Sequence, residues 1–512
     1  SGRVLLRPAA QSERLEGGHS VATDTCRLPR GPVIVNDGIS SARYRLLVIL
    51  TVVLATGSMV VEATIINVAI PAIMRQFSIS TEDAQWLSTG FLGAMVTTML
   101  LAAWFERSFG PRLTYAGALV LFSLASLAGG LADSMPLLIA ARIAQGAISG
   151  LIQPLGLVVI FRVFAPSERG RAMSAFGLGV VLAPAIGPAL GGYLVDLASW
   201  RAIFFVTLPL CVAGIFLSLR YLPARDASSP QQSFDVPGLV LIALFIFCLL
   251  TGFAVGHADG WTAPAFLLRL GVGLAVTVAL VIWEMRIPYP LLQLRLFYNR
   301  RFAASAMVAF AYGLGLYGST YLLPLYVQTV LHYDAGLSGL MLLPGGLAMA
   351  LSITAAGRLL DRFAAHSLIV VGLLCFAVSF LLIGSGVVVR SFAVLAVLIA
   401  LGRIGLGMTI PSLNLGALQL VESPQLAQAS GTLNFIRQLG GAIGVNVLTI
   451  FFSWLDAEGR ERGLDTAAAM DKAFSVCFMV VGLVFLLAVV PAMRMRMRVG
   501  PAEGALGSKD GS

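Results

Sequence analysis

The feature that most constrains this chain is the recurrence of continuous apolar runs about twenty residues long, from near residue 45 to near residue 493. A helix of that length crosses the hydrocarbon core of a bilayer. In lipid only helices and closed barrels satisfy the backbone's own donors and acceptors. The runs do not alternate polar and apolar residues, so a barrel of short strands is excluded. The predicted spans are 46–73, 85–105, 113–132, 136–161, 171–195, 200–220, 236–256, 265–284, 302–326, 338–357, 367–387, 392–418, 427–454 and 473–492, fourteen in all. The expected fold class is therefore an all-α membrane protein. Charged residues make up only 12% of the chain, about half the share of a soluble domain.

The net charge of +9 sits mostly in short connections and in the two tails, which is no nucleic-acid footprint. An even number of spans puts both termini on one side. With the termini in the cytoplasm, sixteen arginines fall in inside connections or the C-terminal tail, against seven basic residues outside. That is a positive-inside bias. Residues 1–43 and 496–512 are expected to be cytoplasmic tails, the first disordered. The expected location is the inner membrane of a bacterium. Linkers shorter than twenty residues leave no room for a soluble catalytic domain. There is no GxxxxGK[ST] and no HExxH, so no ATP-driven site, metal centre, cofactor or enzyme activity is expected. The five cysteines have no redox or metal spacing.

Ala141-Arg142-Ile143-Ala144-Gln145-Gly146 is echoed by Gly402-Arg403-Ile404-Gly405-Leu406-Gly407. The turn at Trp104 to Gly110 is echoed at Gly357 to Arg362. Two related halves, 44–221 and 286–495, are expected, with a linker and two extra helices in 222–285. A carrier that exposes one site alternately to two sides is commonly built this way.

Glu62 is the one carboxylate placed deep in a predicted span. A charge there costs about 2.5–3.5 kcal/mol on insertion scales and marks a pathway or a relay. Two readings fit: a proton carrier, or a structural carboxylate paired with an arginine. Arg142, Arg403 and Arg437 are the buried bases available. Arg142 can pair with Glu62, anchor a gate, or reach back to the interface. Asn67 can join the same helix network. Asn434 and Gln438 flank Arg437 and can bind substrate or join helices. Tyr317 and Tyr321 lie four apart on one helical face, which suits either a flat apolar ligand or an interfacial belt.

GLGVVLAPAIGPALGGYL, from Gly177 to Leu194, carries five glycines and two prolines. Such a stretch makes a poor soluble helix. In a membrane its small residues let a neighbouring helix come close.

These residues together resemble the major facilitator superfamily, and within it the fourteen-span drug:proton antiporters, including the permease subunits of tripartite multidrug pumps. VEATIINVAIPAI resembles that group's first-span signature, with Glu62 where Asp is usual. Arg142, Gln145 and Gly146 match the fourth-span pattern. Gly179, Pro184, Gly187, Pro188, Gly191 and Gly192 match the antiporter motif of the fifth span. Asn434, Phe435, Arg437, Gly440 and Gly441 resemble the thirteenth-span pattern. The resemblance implies two six-helix halves plus two helices between them. It implies proton coupling through Glu62 and Arg142. Gating is implied for the fifth-span motif and for Asp361 and Arg362, with substrate contact by Asn67, Gln145, Tyr317, Tyr321, Asn434, Arg437 and Gln438. The implied partners are a small-molecule substrate, protons and the bilayer, with a periplasmic adaptor and an outer-membrane channel in the pump members. The working unit is expected to be a monomer. One departure stands out: Arg107, beside Glu106, holds the place of the superfamily's Asp in the turn between the second and third spans. Two other functions fit the residues alone, a symporter or facilitator for a metabolite and a scaffold that transports nothing.

Overall fold

The computed structural model describes residues 42–164, 172, 176, 186–225, 235–260, 262–287, 290–360, 362–386, 391–421 and 426–496. Gly179, Pro184 and Asp361 lie outside the described residues, as do nearly all of both expected tails. Among the described residues the chain forms helices joined by turns, and no strand.

The first group is α1 (Ala42–Phe77), the short α2 (Thr81–Ala84), α3 (Trp86–Met99), α4 (Ala102–Gly130), α5 (Met135–Val163), α6 (186–197), α7 (Ala202–Val206) and α8 (Leu208–Tyr221). Next come α9 (Val236–Asp259) and α10 (Pro264–Arg286), then α11 (Arg300–Thr329), α12 (Ala335–Leu359), α13 (Ala365–Gly384), α14 (Phe392–Leu418), α15 (Leu426–Glu461) and α16 (Thr466–Arg494). Polar residues in the turns start several of these helices. Asp235 caps α9, Asn299 caps α11, Asp334 caps α12 and Asp465 caps α16, each by accepting a bond from a first-turn amide.

Among the described residues twelve helical segments are long and apolar enough to cross a membrane, α7 and α8 together forming one of them. The second expected span is segmented. Leu100 and Leu101 keep right-handed helical dihedrals between α3 and α4, so the path runs on to Gly110. There φ is 76° and ψ 163°, and the chain turns inside what hydrogen bonding joins as one helix. Only glycine accepts that backbone without strain. A side chain would also meet the Arg225 amide nitrogen at 2.5 Å. Of the fifth expected span, the helix is described from 186 onward. Among the described residues, twelve of the fourteen expected spans are helices of spanning length; the second is divided between α3 and the start of α4, and the fifth is described only from residue 186 onward.

Helices α1 to α8 pack among themselves, and so do α11 to α16. The two groups meet along two seams. At one, α3 faces α15; at the other, α6 faces α12. The extra helices break this symmetry. Helix α9 lies against both α3 and α15, on the first seam. The buried Asn446 of α15 donates to the Leu250 carbonyl of α9 at 3.1 Å. On the other side, Gly93 of α3 leaves space for Leu250, whose Cδ1 would lie 2.7 Å from a Cβ there. Helix α10 rests on α9 and exposes Leu267, Leu268, Leu274 and Val278. In a bilayer those side chains face lipid.

The end of the molecule away from the start of α1 and the finish of α16 is sealed. Gln328 Nε2 donates to the Val68 carbonyl at 3.0 Å, and the Tyr321 hydroxyl donates to the Thr81 carbonyl at 3.3 Å. Asp196, at the end of α6, accepts the Gly336 amide of α12 at 2.6 Å. On the same seam a Cβ at Gly192 would overlap the Ala335 carbonyl, and one at Gly339 the Pro188 carbonyl.

Candidate functional site

Glu62 lies inside the first group of helices, fully buried, and so does Arg142. Helix α1 carries the glutamate and α5 the arginine; Arg142 Nη1 stands 3.7 Å from Glu62 Oε1. The ion pair is held by neighbours on α3, α4 and α5 and at the junction of α7 and α8. Gln145 accepts from Arg142 Nη1 at 2.9 Å and donates to Glu62 Oε1 at 3.2 Å. Gln145 also donates to Ser126 of α4 at 2.8 Å. Thr207, between α7 and α8, donates to Glu62 Oε2 at 3.2 Å. Arg142 Nε donates to the Leu87 carbonyl of α3 at 3.1 Å, and the guanidinium lies 4.4 Å from the centre of the Phe91 ring. Removing one partner from such a pair costs about 3–5 kcal/mol, because the other charge stays buried. Protonation of the carboxylate removes the charge and leaves the hydrogen-bonding frame in place.

A second site lies where the groups meet. This central cavity is lined by Thr64, Gln153 and Pro188 from the first group and by Tyr317, Thr320 and Arg403 from the second, with apolar side chains between them. Arg403 Nη2 donates to the Thr320 hydroxyl at 2.9 Å. At one wall, Gln438 of α15 donates to Gln153 Oε1 of α5 at 3.3 Å, bridging the groups. A further groove, wholly apolar, lies on the outer face of the α6–α12 seam between Ile186, Tyr193 and Leu340. In a bilayer it faces acyl chains.

The expected site residues therefore divide. Glu62, Arg142 and Gln145 form one network. Asn67 is buried beside it, accepting from Ser88 of α3 at 2.8 Å. None of these four lines the central cavity. Tyr317 does, and Gln438 borders it. Tyr321 is turned to the sealed end. Arg437 and Asn434 are partly exposed on α15, and Arg437 lies within electrostatic reach of the Tyr312 and Tyr317 hydroxyls. Gly187 and Gly191 of the fifth-span motif sit against α1: a Cβ on them would lie 2.6 Å from Thr64 Oγ1 and 2.5 Å from Ile65 Cγ1. Arg362 is exposed in the turn after α12. Sequence reasoning missed Ser126, Thr207, Gln153 and Thr320. A hydroxyl or an amide in a membrane helix is too common to signal a role. It also treated Glu62 as the one deep carboxylate, whereas Glu284, at the end of α10, is buried as well and accepts the Leu292 amide at 3.1 Å.

Two bundles of membrane-spanning helices, two seams and a cavity between them define a membrane carrier. The chain belongs to the Major Facilitator Superfamily, whose family model matches residues 52–445. It is 31% identical over 406 residues to the multidrug resistance protein B homolog of Mycobacterium tuberculosis (strain H37Rv), covering 78% of this chain and 75% of that one. It is 30% identical over 418 residues to the multidrug export protein EmrB of Haemophilus influenzae, covering 81% of each. Among solved structures, a bacterial homolog of the human lysosomal transporter Spinster, inward-facing and occupied, superposes with a TM-score of 0.62 at 15% identity, over 90% of this chain and all of the other.

Proposed function

We propose that this transporter is a proton-coupled antiporter that exports hydrophobic or amphipathic small molecules across a bacterial inner membrane by alternating access. The observation that carries the reading is the Glu62–Arg142 pair, withdrawn from water inside one half yet two residues along α1 from Thr64 at the central cavity. A carboxylate that gains a proton releases Arg142 from its ion pair. The helices that frame the pair, α1 and α5, also wall the cavity, so its occupancy and the charge on Glu62 share one set of backbones. Proton entry from the outer side then favours the state sealed at the Asp196–Gly336 end, and proton release inside accompanies reopening. The multidrug export names of the relatives support the export direction, and the arginine distribution supports cytoplasmic termini. Fourteen spans, the expected domain boundaries and the gating role of Gly187, Pro188, Gly191, Gly192 and Arg362 belong to the same reading. So do substrate contact by Tyr317 and Gln438 at the cavity and, for the pump form, an adaptor and outer channel.

The test is transport by purified protein in proteoliposomes with an imposed pH gradient, against a panel of lipophilic compounds. Substrate movement opposite to proton movement, lost in Glu62→Gln protein that still binds substrate, is the expected result. Proton and substrate moving in the same direction would make the protein a symporter and sink the reading.

A further inference from the structure

Glu62 and Thr320 occupy equivalent places, each twenty residues beyond the first residue of its helix, α1 and α11. Arg142 of α5 and Arg403 of α14 are equivalent too, at matching positions of the repeated sequence. Each arginine reaches the residue on the partner helix: Arg142 finds a carboxylate, Arg403 a neutral hydroxyl. The two halves keep the base and differ in its counter-charge.

The consequence is a buried cation with unused donors. Arg403 is 8% exposed, and what remains exposed opens on the central cavity. Among the described residues its hydrogen-bond partner is Thr320, and no carboxylate stands within ion-pair distance. Arg437 has no carboxylate partner there either, and its charge reaches the hydroxyls of Tyr312 and Tyr317 from the next helix. Among the described residues no acidic side chain lines the cavity. A guanidinium presents five donors in a planar fork matched to a carboxylate. An unpaired charge at this depth is expensive. The rest of the lining, including Leu316, Leu342 and Met349, is apolar.

We propose that the central cavity is selective for amphipathic organic anions, with Arg403 and Thr320 holding the anionic headgroup and the Tyr317 side holding the apolar body. The anion supplies the counter-charge that the chain supplies to Arg142 and withholds from Arg403. This rests on the transport reading above, and it names that site's substrate class.

The experiment uses the full chain in phosphatidylcholine nanodiscs, with no pH gradient. Binding is measured calorimetrically for naphthylacetate, naphthylacetamide and naphthylethylammonium, which share one apolar body. Naphthylacetate is expected to bind about ten-fold or more tighter than the other two, the scale of a charge-assisted fork. Arg403→Gln should erase that preference, whereas Arg403→Lys should keep part of it. Circular dichroism and gel filtration establish that both variants are folded. Equal binding of all three, tightest binding of the ammonium, binding of none, or a preference that survives Arg403→Gln would each overturn the assignment. So would loss of naphthylacetate binding when phosphatidylglycerol is added, since the site would then belong to an anionic lipid headgroup. Because no proton gradient is present, an anion preference without antiport removes the coupling reading alone, and antiport of cations removes the anion site alone.

Discussion

Gly192 of α6 and Ala335 of α12 touch backbone to backbone at the sealed end, so closely that a Cβ on the glycine would overlap the Ala335 carbonyl oxygen. The preceding Gly191 faces the other way, with Ile65 of α1 filling its place. The two glycines thus serve two neighbours, one in the same half and one across the seam.

Gly192→Ala is therefore expected to disfavour the sealed state. Overpacking of this kind costs about 1–3 kcal/mol, and each 1.4 kcal/mol is about ten-fold in a population. Spin labels on cysteines placed at Leu197 and Leu337 should report a longer or broader distance in the variant. An unchanged distance with normal transport would show that the seam relaxes without penalty.

The hydrogen bond from the Gly336 amide to Asp196 holds the same end from an exposed position. Asp196→Ala removes one charge-assisted bond, about 1 kcal/mol at such a site. The same label pair should show a partial shift toward opening, smaller than that of Gly192→Ala. A larger shift would make the carboxylate, not the packing, the main fastening.

Arg142→Gln leaves the buried Glu62 without its cation, and Glu62→Gln leaves the buried Arg142 without its counter-charge. Each single variant should lower the melting temperature in detergent. The double variant should recover part of the loss, since no orphaned charge remains. Additive losses in the cycle would show that the two side chains do not stabilise one another.

Asn446→Leu removes the one side-chain hydrogen bond described between α15 and α9. Cross-linking between cysteines at Gly93 and Leu250 should become slower in that variant, with the melting temperature little changed. Faster cross-linking would mean that α9 is held by its apolar contacts alone.

Much of this was legible in the sequence. Apolar length placed the spanning helices, and the expense of a buried charge singled out Glu62 and Arg142, which do meet. The glycine pattern after Ile186 announced a close helix contact. What the sequence could not say was which neighbour each side chain faces. Tyr317 and Tyr321 share a helical face, yet four residues are about 6 Å of rise, enough to put one ring at the cavity and the other hydroxyl at Thr81. Asn67, expected in the helix network, does bond to Ser88, while Gln145, which the resemblance puts in contact with substrate, is bonded to Glu62. The second span reads as one run, because no proline or glycine at Leu100 or Leu101 announces its division between α3 and α4.

Helix α9 lies on the α3–α15 seam. That makes the molecule a book with a spine. The α3–α15 edge is bound by Leu250, wedged at Gly93 and hooked by Asn446. Among the described residues the α6–α12 edge has no such binding helix; it is fore-edge, clasped at Asp196 and Gly336, with an apolar groove on its outer side. If the covers part, they part there first, and anything that enters sideways from the membrane has one margin to slip through, not two.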